Sequence, residues 1–131
     1  PGWRRIEFRG WLSRNGIVRL LGEARVGLVL LHPTPEYLES QPVKLYEYIA
    51  AGLPVIASDF PLWRKLYEPV GCCLFVDPLD PAAIATAVQW VLEHPSHAGM
   101  MGRRGIEAVE TRFNWEAESK KLLQFYEEVL R

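Results

Sequence analysis

The stretch from Glu39 to Asp59, ESQPVKLYEYIAAGLPVIASD, decides the fold of this chain. It predicts a helix that begins at Pro42 and stops before Gly52, followed at once by an apolar strand at Pro54–Ser58. Proline at the first helical position and glycine just past the last turn are the usual start and stop signals of a helix. A helix joined to a buried strand by such a short turn indicates an α/β fold.

The predicted helix has two faces. Its core-facing side chains are expected to be Val43, Leu45, Tyr46, Ile49, Ala50 and Leu53, and a second stripe contains Lys44, Glu47, Tyr48 and Ala51. Unpaired amides before and within the first turn, together with the helix dipole, favour an anion such as phosphate. Glu47 lies five residues past Pro42, which is about 7–8 Å along the helix axis at 1.5 Å per residue. At that distance its carboxylate can accept hydrogen bonds from a ribose attached to a diphosphate.

Strands and helices alternate on either side of this stretch. The predicted strands are Arg5–Arg9, Val26–Leu31, Pro54–Ser58 and Gly71–Val76, and further helices are predicted at Gly16–Ala24 (capped by Asn15), Leu62–Tyr67, Pro81–Glu93, Ser96–Arg112 and Trp115–Leu130 (capped by Asn114). This alternation favours a parallel sheet with right-handed crossovers, in which we expect the last three strands to be neighbours in sequence order. Ligands of open α/β sheets bind beyond the carboxyl ends of the strands, which places the loop Thr34–Gln41 in the binding crevice.

Glu39, seven intervening residues, Glu47 and the following run EYIAAGLPVIASD resemble the nucleotide-sugar site of the retaining GT-B glycosyltransferases of family 4. The segment Pro42–Tyr48 is similar to the variant found in the bacterial surface-polysaccharide branch of that family. The resemblance extends from Ile6 to about Tyr126. It implies a Rossmann-like parallel sheet with flanking helices, as in the C-terminal half of a GT-B enzyme.

The resemblance also implies roles for individual residues. Glu39 would face the transferred sugar and Glu47 the ribose, which makes these two the expected catalytic residues. The expected substrate-binding residues are Gly10, Trp11, Leu12, Ser40, Gln41, Pro42, Val43, Lys44 and Glu47, with the first three holding the nucleobase largely through main-chain atoms. The family's usual Gly-Phe-Gly after the first Glu is Ser40-Gln41-Pro42 here, where the small Ser40 and its hydroxyl would have to substitute.

Several of these residues have a structural alternative. Glu47 can form an exposed ion pair with Lys44, Lys44 can be a solvated lysine, and Glu39 can be an ordinary loop carboxylate. Trp11 can be a packing residue. His32, at the end of a predicted strand, is more often a hydrogen-bonded core residue than an acid or base.

Composition excludes several other classes of protein. A chain of 131 residues, 49% of them apolar, suffices for one layered domain, and a net charge of −1 gives no indication of a nucleic-acid partner. No apolar run reaches the roughly 18–20 residues of a membrane span, and no signal peptide is recognised, so we expect a cytoplasmic protein, peripheral to the membrane at most. His94 and His97 lack ligand partners at metal-binding spacing, and there is no dinucleotide or P-loop motif. We therefore expect no metal and no cofactor.

Two adjacent cysteines, Cys72 and Cys73, fall on a predicted strand. Successive side chains of a strand point to opposite faces, and a disulfide between neighbours would be strained. We therefore expect two reduced structural thiols.

By the same resemblance, residues 1–131 form a single, partial C-terminal domain that binds the donor. We expect the first two strands of that domain, their Arg-Lys loop and the N-terminal acceptor domain to lie outside this sequence, so that this part alone is inactive. The expected reaction transfers a sugar from a nucleotide-diphosphate sugar to an acceptor sugar, a lipid-linked sugar or another acceptor. The alternatives are a non-catalytic nucleotide-sugar-binding or assembly module and, more remotely, a sugar-nucleotide epimerase. The unpaired edge of Val26–Leu31 further predicts that this part alone forms a dimer or aggregates unless that edge is covered.

Overall fold

A computed structural model describes residues 2–131, in which strands and helices alternate. The strands are β1 (Gly27–Val29), β2 (Val55–Ser58) and β3 (Cys73–Val76). The α-helices are α1 (Arg14–Glu23), α2 (Pro35–Leu38), α3 (Val43–Ala50), α4 (Pro61–Tyr67), α5 (Pro81–Glu93), α6 (Pro95–Thr111) and α7 (Trp115–Val129). Short 3-10 turns cover Gly2–Arg5 and Glu68–Val70.

The strands form one parallel sheet in the order β1-β2-β3, which confirms the expectation that the last three predicted strands are neighbours in sequence order. Gly27 pairs with Val55, and Val55 pairs with Cys73. Because the strands run in one direction, their carboxyl ends share one edge of the sheet. The segment after β1, Asp59 after β2 and Asp77 after β3 lie at that edge, where open α/β sheets bind ligands.

Helices cover both faces of the sheet. Side chains alternate between the two faces along each strand, so β2 and β3 contribute to two core clusters, while β1 contributes Val29 to the larger one. The larger cluster joins the sheet to α3 and α4 and contains Val29, Leu45, Ile49, Val55, Ala57, Phe60, Trp63, Tyr67 and Cys72. The smaller cluster joins the other face to α5 and contains Ile56, Val76 and Val91. This layered architecture confirms the predicted α/β fold class.

The predicted strand at Arg5–Arg9 is wrong. Gly2–Arg5 is a 3-10 turn, residues 6–10 have no regular secondary structure, and every residue from 2 to 15 is exposed. The segment has the alternating pattern of a strand, but no strand of the described chain pairs with it. A strand needs backbone partners, so the pattern alone does not produce one. Gly10, where the sequence predicts a tight turn, has a φ angle of +63°, a conformation that favours glycine.

The remaining predicted elements are present with small shifts of their ends. The helix predicted at Pro81–Glu93 agrees residue for residue with α5, and Asn114 caps α7 by accepting a hydrogen bond from the Ala117 amide at 2.8 Å. The prediction that Asn15 caps α1 is wrong. Ser13 is the N-cap instead, and its hydroxyl oxygen accepts a hydrogen bond from the Gly16 amide at 3.2 Å.

β1 ends at Val29, although the apolar run continues to Leu31. The hydroxyl of the buried Ser58, in β2, accepts a hydrogen bond from the Leu31 amide at 2.8 Å and donates one to the Leu31 carbonyl at 2.9 Å. This side chain therefore replaces the backbone partner that a longer β1 would need. It also fixes the start of the segment that leads to α2.

Cys72 and Cys73 do not lie on opposite faces, so that expectation is wrong. Cys72 precedes β3 and follows Gly71, whose φ angle is +71°, so the alternation of the strand begins only at Cys73. Both side chains contact the larger core cluster, and their Sγ atoms are 3.7 Å apart. Both are free thiols, as predicted.

Candidate functional site

The start of α3 exposes unpaired amides at the carboxyl edge of the sheet. Pro42 is the N-cap residue, one position earlier in the helix than predicted, and no side chain caps this end. The amides of Gln41, Val43 and Lys44 donate no hydrogen bond within residues 2–131. All three residues are exposed. These amides and the dipole of α3 together favour an anion.

The loop before α3 is held by three neighbouring residues. The indole Nε1 of Trp63 donates a hydrogen bond to the Ser40 carbonyl at 2.7 Å, and the Tyr46 hydroxyl donates one to Gln41 Oε1 at 2.5 Å. Ser40 donates both its amide (3.2 Å) and its hydroxyl (2.9 Å) to the Tyr37 carbonyl. Since the hydroxyl hydrogen of Ser40 is engaged there, the donors open to an anion are main-chain amides rather than this hydroxyl.

The core-facing side of α3 is narrower than the sequence pattern indicates. Leu45 and Ile49 are fully buried, as predicted, but Val43 and Ala50 are exposed because the sheet and its neighbours contact only the central stripe of this two-turn helix. The predicted second stripe also loses one member. Tyr48 packs on β1, where a Cβ atom on Gly27 would lie 2.4 Å from its ring, so Tyr48 is a packing residue.

Glu47 lies in a cleft between α3 and α1. The cleft has a volume of about 750 Å³ and is lined by Arg14, Ile17, Val18, Leu21, Gly22, Glu47, Ala50 and Ala51. Glu47 and Lys44 are both exposed, and no ion pair joins them in the part of the chain that the structure describes. The carboxylate of Glu47 is therefore open to a ligand in this cleft.

The residues expected near the nucleobase lead into the same cleft. Gly10, Trp11 and Leu12 immediately precede α1, whose first residue, Arg14, lines the cleft with Glu47. Trp11 is fully exposed, at 104% of its reference area, so it does not act as a packing residue in the described structure. The structure thus places α1 and Glu47 on the same cleft. Gly10–Leu12 lie in the segment just before the first turn of α1.

Glu39 is exposed and forms the C-cap of α2, a short helix in a segment that the sequence pattern predicts as a loop. Pro35 at the first position of α2 favours the helical turn. His32 is exposed, so the expectation of a core histidine is wrong.

A second cavity lies on the other side of the start of α3. Its volume is about 580 Å³, and its lining residues are Gln41, Tyr46, Leu66, Arg112, Phe113, Asn114, Trp115, Glu118 and Lys121. The ring of Tyr46 separates this cavity from the core, where it meets Tyr67 and Phe113 edge to face at 5.8 and 5.5 Å between ring centroids. α3 therefore lines both cavities, the first through Glu47 and the second through Tyr46, and Gln41 lines the second.

An ion-pair cluster follows β2 at the same edge of the sheet. Arg64 Nη2 donates a hydrogen bond to Asp59 Oδ2 at 2.9 Å, and Arg64 Nη1 donates one to Glu68 at 2.7 Å. The hydrogen bond with Arg64 holds the pKa of Asp59 below its ordinary value. The guanidinium also lies 5.0 Å from the ring centroid of Phe75 in β3. This cluster stabilises the start of α4. Trp63, in the same helix, donates its indole hydrogen bond to Ser40 in the loop before α3.

Residues 2–131 contain neither a side-chain cluster suited to a metal ion nor a helix suited to spanning a membrane. No group of three or more His, Cys, Asp or Glu side chains in this range could hold a metal ion. None of the helices within the same residues is both long enough and apolar enough to cross a bilayer.

The parallel sheet, the uncapped helix at its carboxyl edge and the neighbouring glutamate define a Rossmann-like domain of the GT-B type. The chain belongs to the glycosyl transferase-like family, whose model matches residues 1–124. This confirms the glycosyltransferase resemblance in the sequence.

Two curated relatives and one solved structure agree with this assignment. The chain is 30% identical over 105 residues to D-rhamnosyltransferase WbpZ of Pseudomonas aeruginosa, covering 78% of this chain and 26% of that protein. It is 32% identical over 91 residues to phosphatidyl-myo-inositol mannosyltransferase of Mycobacterium leprae, covering 70% and 24%. Sucrose-phosphate synthase from Thermosynechococcus elongatus superposes with a TM-score of 0.81 at 31% identity, over 97% of this chain and 31% of that one. The chain spans about a quarter of the length of the curated relatives.

Proposed function

We propose that residues 1–131 are the donor-binding part of a retaining, family-4-like glycosyltransferase that uses a nucleotide-diphosphate sugar. The observation that supports this proposal is the open start of α3, with its free amides beside a cleft that contains Glu47. Glu47 is four residues beyond Val43, about 6 Å along the helix at 1.5 Å per residue. This spacing suits a diphosphate at the amides and a ribose at the carboxylate.

In this proposal each group has a distinct task. The amides of Gln41, Val43 and Lys44 bind the diphosphate, and the dipole of α3 stabilises the negative charge that develops on it as the sugar leaves. Lys44, exposed on the first turn, adds a positive charge. Glu47 accepts the ribose hydroxyls, and the main chain of Gly10–Leu12 holds the base. Glu39, at the end of α2, faces the sugar.

The relatives indicate the kind of donor. Two of them are named as a rhamnosyltransferase and a mannosyltransferase, which both transfer six-carbon sugars. We therefore propose a hexosyl or deoxyhexosyl donor and a sugar or lipid-linked sugar acceptor, as in polysaccharide or glycolipid synthesis.

The proposal is tested by binding UDP, GDP, ADP and their sugar derivatives to the full-length gene product that contains residues 1–131. Glu47→Ala should weaken binding of the preferred nucleoside diphosphate by roughly 10- to 150-fold, because hydrogen bonds to a charged acceptor contribute about 1.5–3 kcal/mol. Thermal stability should hardly change, since Glu47 is exposed. Glu107→Ala, at an exposed glutamate of α6, is the matched control and should bind as the wild type does.

The same assay separates the two glutamates. Glu39→Ala should lower turnover more than affinity for the nucleoside diphosphate, because that ligand has the ribose but lacks the sugar. If Glu39→Ala loses nucleoside diphosphate affinity and Glu47→Ala keeps it, the two roles are reversed. No effect of either substitution would remove both residues from the site, and binding without turnover in the wild type would favour a non-catalytic module.

A further inference from the structure

Trp63 connects the hydrophobic core to the loop before α3, which contains Ser40 and Gln41, by one polar contact. Its side chain is fully buried in the larger core cluster, tilted against Phe60 at 4.8 Å between ring centroids. Its one polar atom, Nε1, donates the 2.7 Å hydrogen bond to the Ser40 carbonyl, 23 residues earlier in the chain. A buried indole N–H needs an acceptor, and here the acceptor lies in the loop that precedes α3.

This contact sets the direction of a second group. The Ser40 carbonyl and the Gln41 amide belong to one peptide unit, which is planar and trans, so the C=O and N–H bonds point in opposite directions. Because Trp63 holds the carbonyl toward the core, the Gln41 N–H points away from it. This is one of the amides that has no acceptor among residues 2–131, and it belongs to an exposed residue.

The neighbouring contacts keep the same peptide unit in place. The Ser40 amide donates to the Tyr37 carbonyl on one side, and Tyr46 donates to the Gln41 side chain on the other. Pro42 follows directly and has a fixed φ angle of −68°. The Ser40–Gln41 peptide therefore has one bond to the buried core, through Trp63, and its only free donor faces outward.

We propose that Trp63 is a positioning residue for the donor diphosphate: its indole N–H orients the Ser40–Gln41 peptide so that the Gln41 amide faces the phosphate. This role rests on the function proposed above. Trp63 itself does not touch the substrate.

Two substitutions at Trp63 separate its hydrogen bond from its volume. Trp63→Phe removes the N–H and keeps most of the apolar volume. Trp63→His keeps a ring N–H at the same position of the five-membered ring, since histidine Nε2 and tryptophan Nε1 are equally far from Cβ, but loses the larger apolar ring. Phe60→Leu is the matched control, because it removes volume from the same cluster without touching Ser40.

Each variant of the full-length gene product is titrated with its preferred nucleoside diphosphate by calorimetry at about pH 8, where histidine is neutral, and its unfolding midpoint is measured. Trp63→Phe should bind roughly tenfold more weakly, the effect of one charge-assisted hydrogen bond. Trp63→His should be less stable than Trp63→Phe but should bind within about threefold of the wild type. Phe60→Leu should lose stability and keep its affinity.

Three results would overturn the positioning role. In the first, Trp63→Phe binds as the wild type does while Glu47→Ala loses affinity, so the proposed site stands and only the role of Trp63 falls. In the second, Phe60→Leu weakens binding as much as Trp63→Phe does and histidine restores nothing, which assigns the effect to core packing. In the third, the wild type binds no nucleoside diphosphate, and both proposals fail together.

Discussion

The helices that cover the sheet and the two outer helices, α1 and α7, have the same kind of amphipathic pattern. They differ in how much of the apolar face is buried. α3 and α4 bury Leu45, Ile49, Trp63 and Tyr67, whereas α1 and α7 have no buried residue. Yet the outer helices are also amphipathic, and their exposed apolar side chains include Ile17, Val18, Leu20, Leu122, Leu123, Phe125, Tyr126 and Val129. An apolar helical face is thus a necessary condition for burial but not a sufficient one.

The difference lies in which residues are available to pack against each helix. Helices α3 and α4 pack against the side chains of strands in the same chain. Gly27, in β1, has no side chain and so leaves room for the ring of Tyr48. The exposed faces of α1 and α7 and the outer edge of β1 have no such counterpart among residues 2–131. These surfaces are where the described chain is most open to association.

The largest expected effect concerns the edge of β1. Leu28 is 43% exposed, and no strand within residues 2–131 pairs with the outer side of this strand. We expect the 131-residue chain to form a dimer through this edge, since unpaired strands associate. Light scattering should show twice the monomer mass for the wild type and the monomer mass for Leu28→Lys. Leu123→Lys, on α7, should stay dimeric, and the reverse pattern would place the contact on α7.

The second effect compares a buried with an exposed leucine. Leu45→Ala, in α3, should lower the free energy of unfolding by about 2–5 kcal/mol, because it opens a cavity in a fully buried site. Leu123→Ala, in α7, should change it by no more than about 0.5 kcal/mol, because that side chain is 62% exposed. Urea unfolding of both variants measures the difference. Equal losses would mean that α7 packs against the body in solution.

The same contrast explains how far the sequence could predict the structure. Periodicity and the signals at Pro42, Gly52 and Asn114 give the type and nearly the ends of each long element, because these are local properties. The strand expected at Arg5–Arg9 is wrong because pairing depends on a distant partner. The family spacing points to Glu39 and Glu47, and the structure places Glu47 in a cleft with α1. The bond of Trp63 to Ser40 had one sequence signal, a tryptophan in a short helix whose N–H must find an acceptor.

The third effect compares two glycines. A Cβ atom on Gly102, in α6, would lie 2.1 Å from the Gly52 carbonyl oxygen, which is backbone and cannot turn aside, whereas one on Gly22, in α1, would meet nothing within 4 Å. Gly102→Ala should therefore cost about 1–3 kcal/mol through overpacking. Gly22→Ala should stabilise the chain by roughly 0.5–1 kcal/mol, because alanine favours the helix. Thermal unfolding checks both signs, and a neutral Gly102→Ala would show that α6 is free to move away from α3.

The smallest effect is electrostatic and compares two ion pairs. Asp59 and Arg64 join the end of β2 to α4 with side chains that are 40% exposed, whereas Glu116 and Lys120 on α7 are 82% and 70% exposed. Asp59→Asn should cost about 0.5 kcal/mol at neutral pH, a value kept low because solvent screens a pair this exposed. Glu116→Gln should cost less than can be measured.

The pH dependence identifies the source of that cost. The hydrogen bond with Arg64 lowers the pKa of folded Asp59 below the ordinary 3.8, so folding favours the carboxylate. The stabilisation is therefore complete above the ordinary pKa and is lost as the pH falls through the lower folded value. Urea unfolding of the wild type and Asp59→Asn should differ at about pH 7, and the difference should shrink as the pH falls through the lowered pKa of folded Asp59. A difference that persists in acid would assign the effect of Asp59→Asn to hydrogen-bond geometry at the start of α4 rather than to the charge of Asp59.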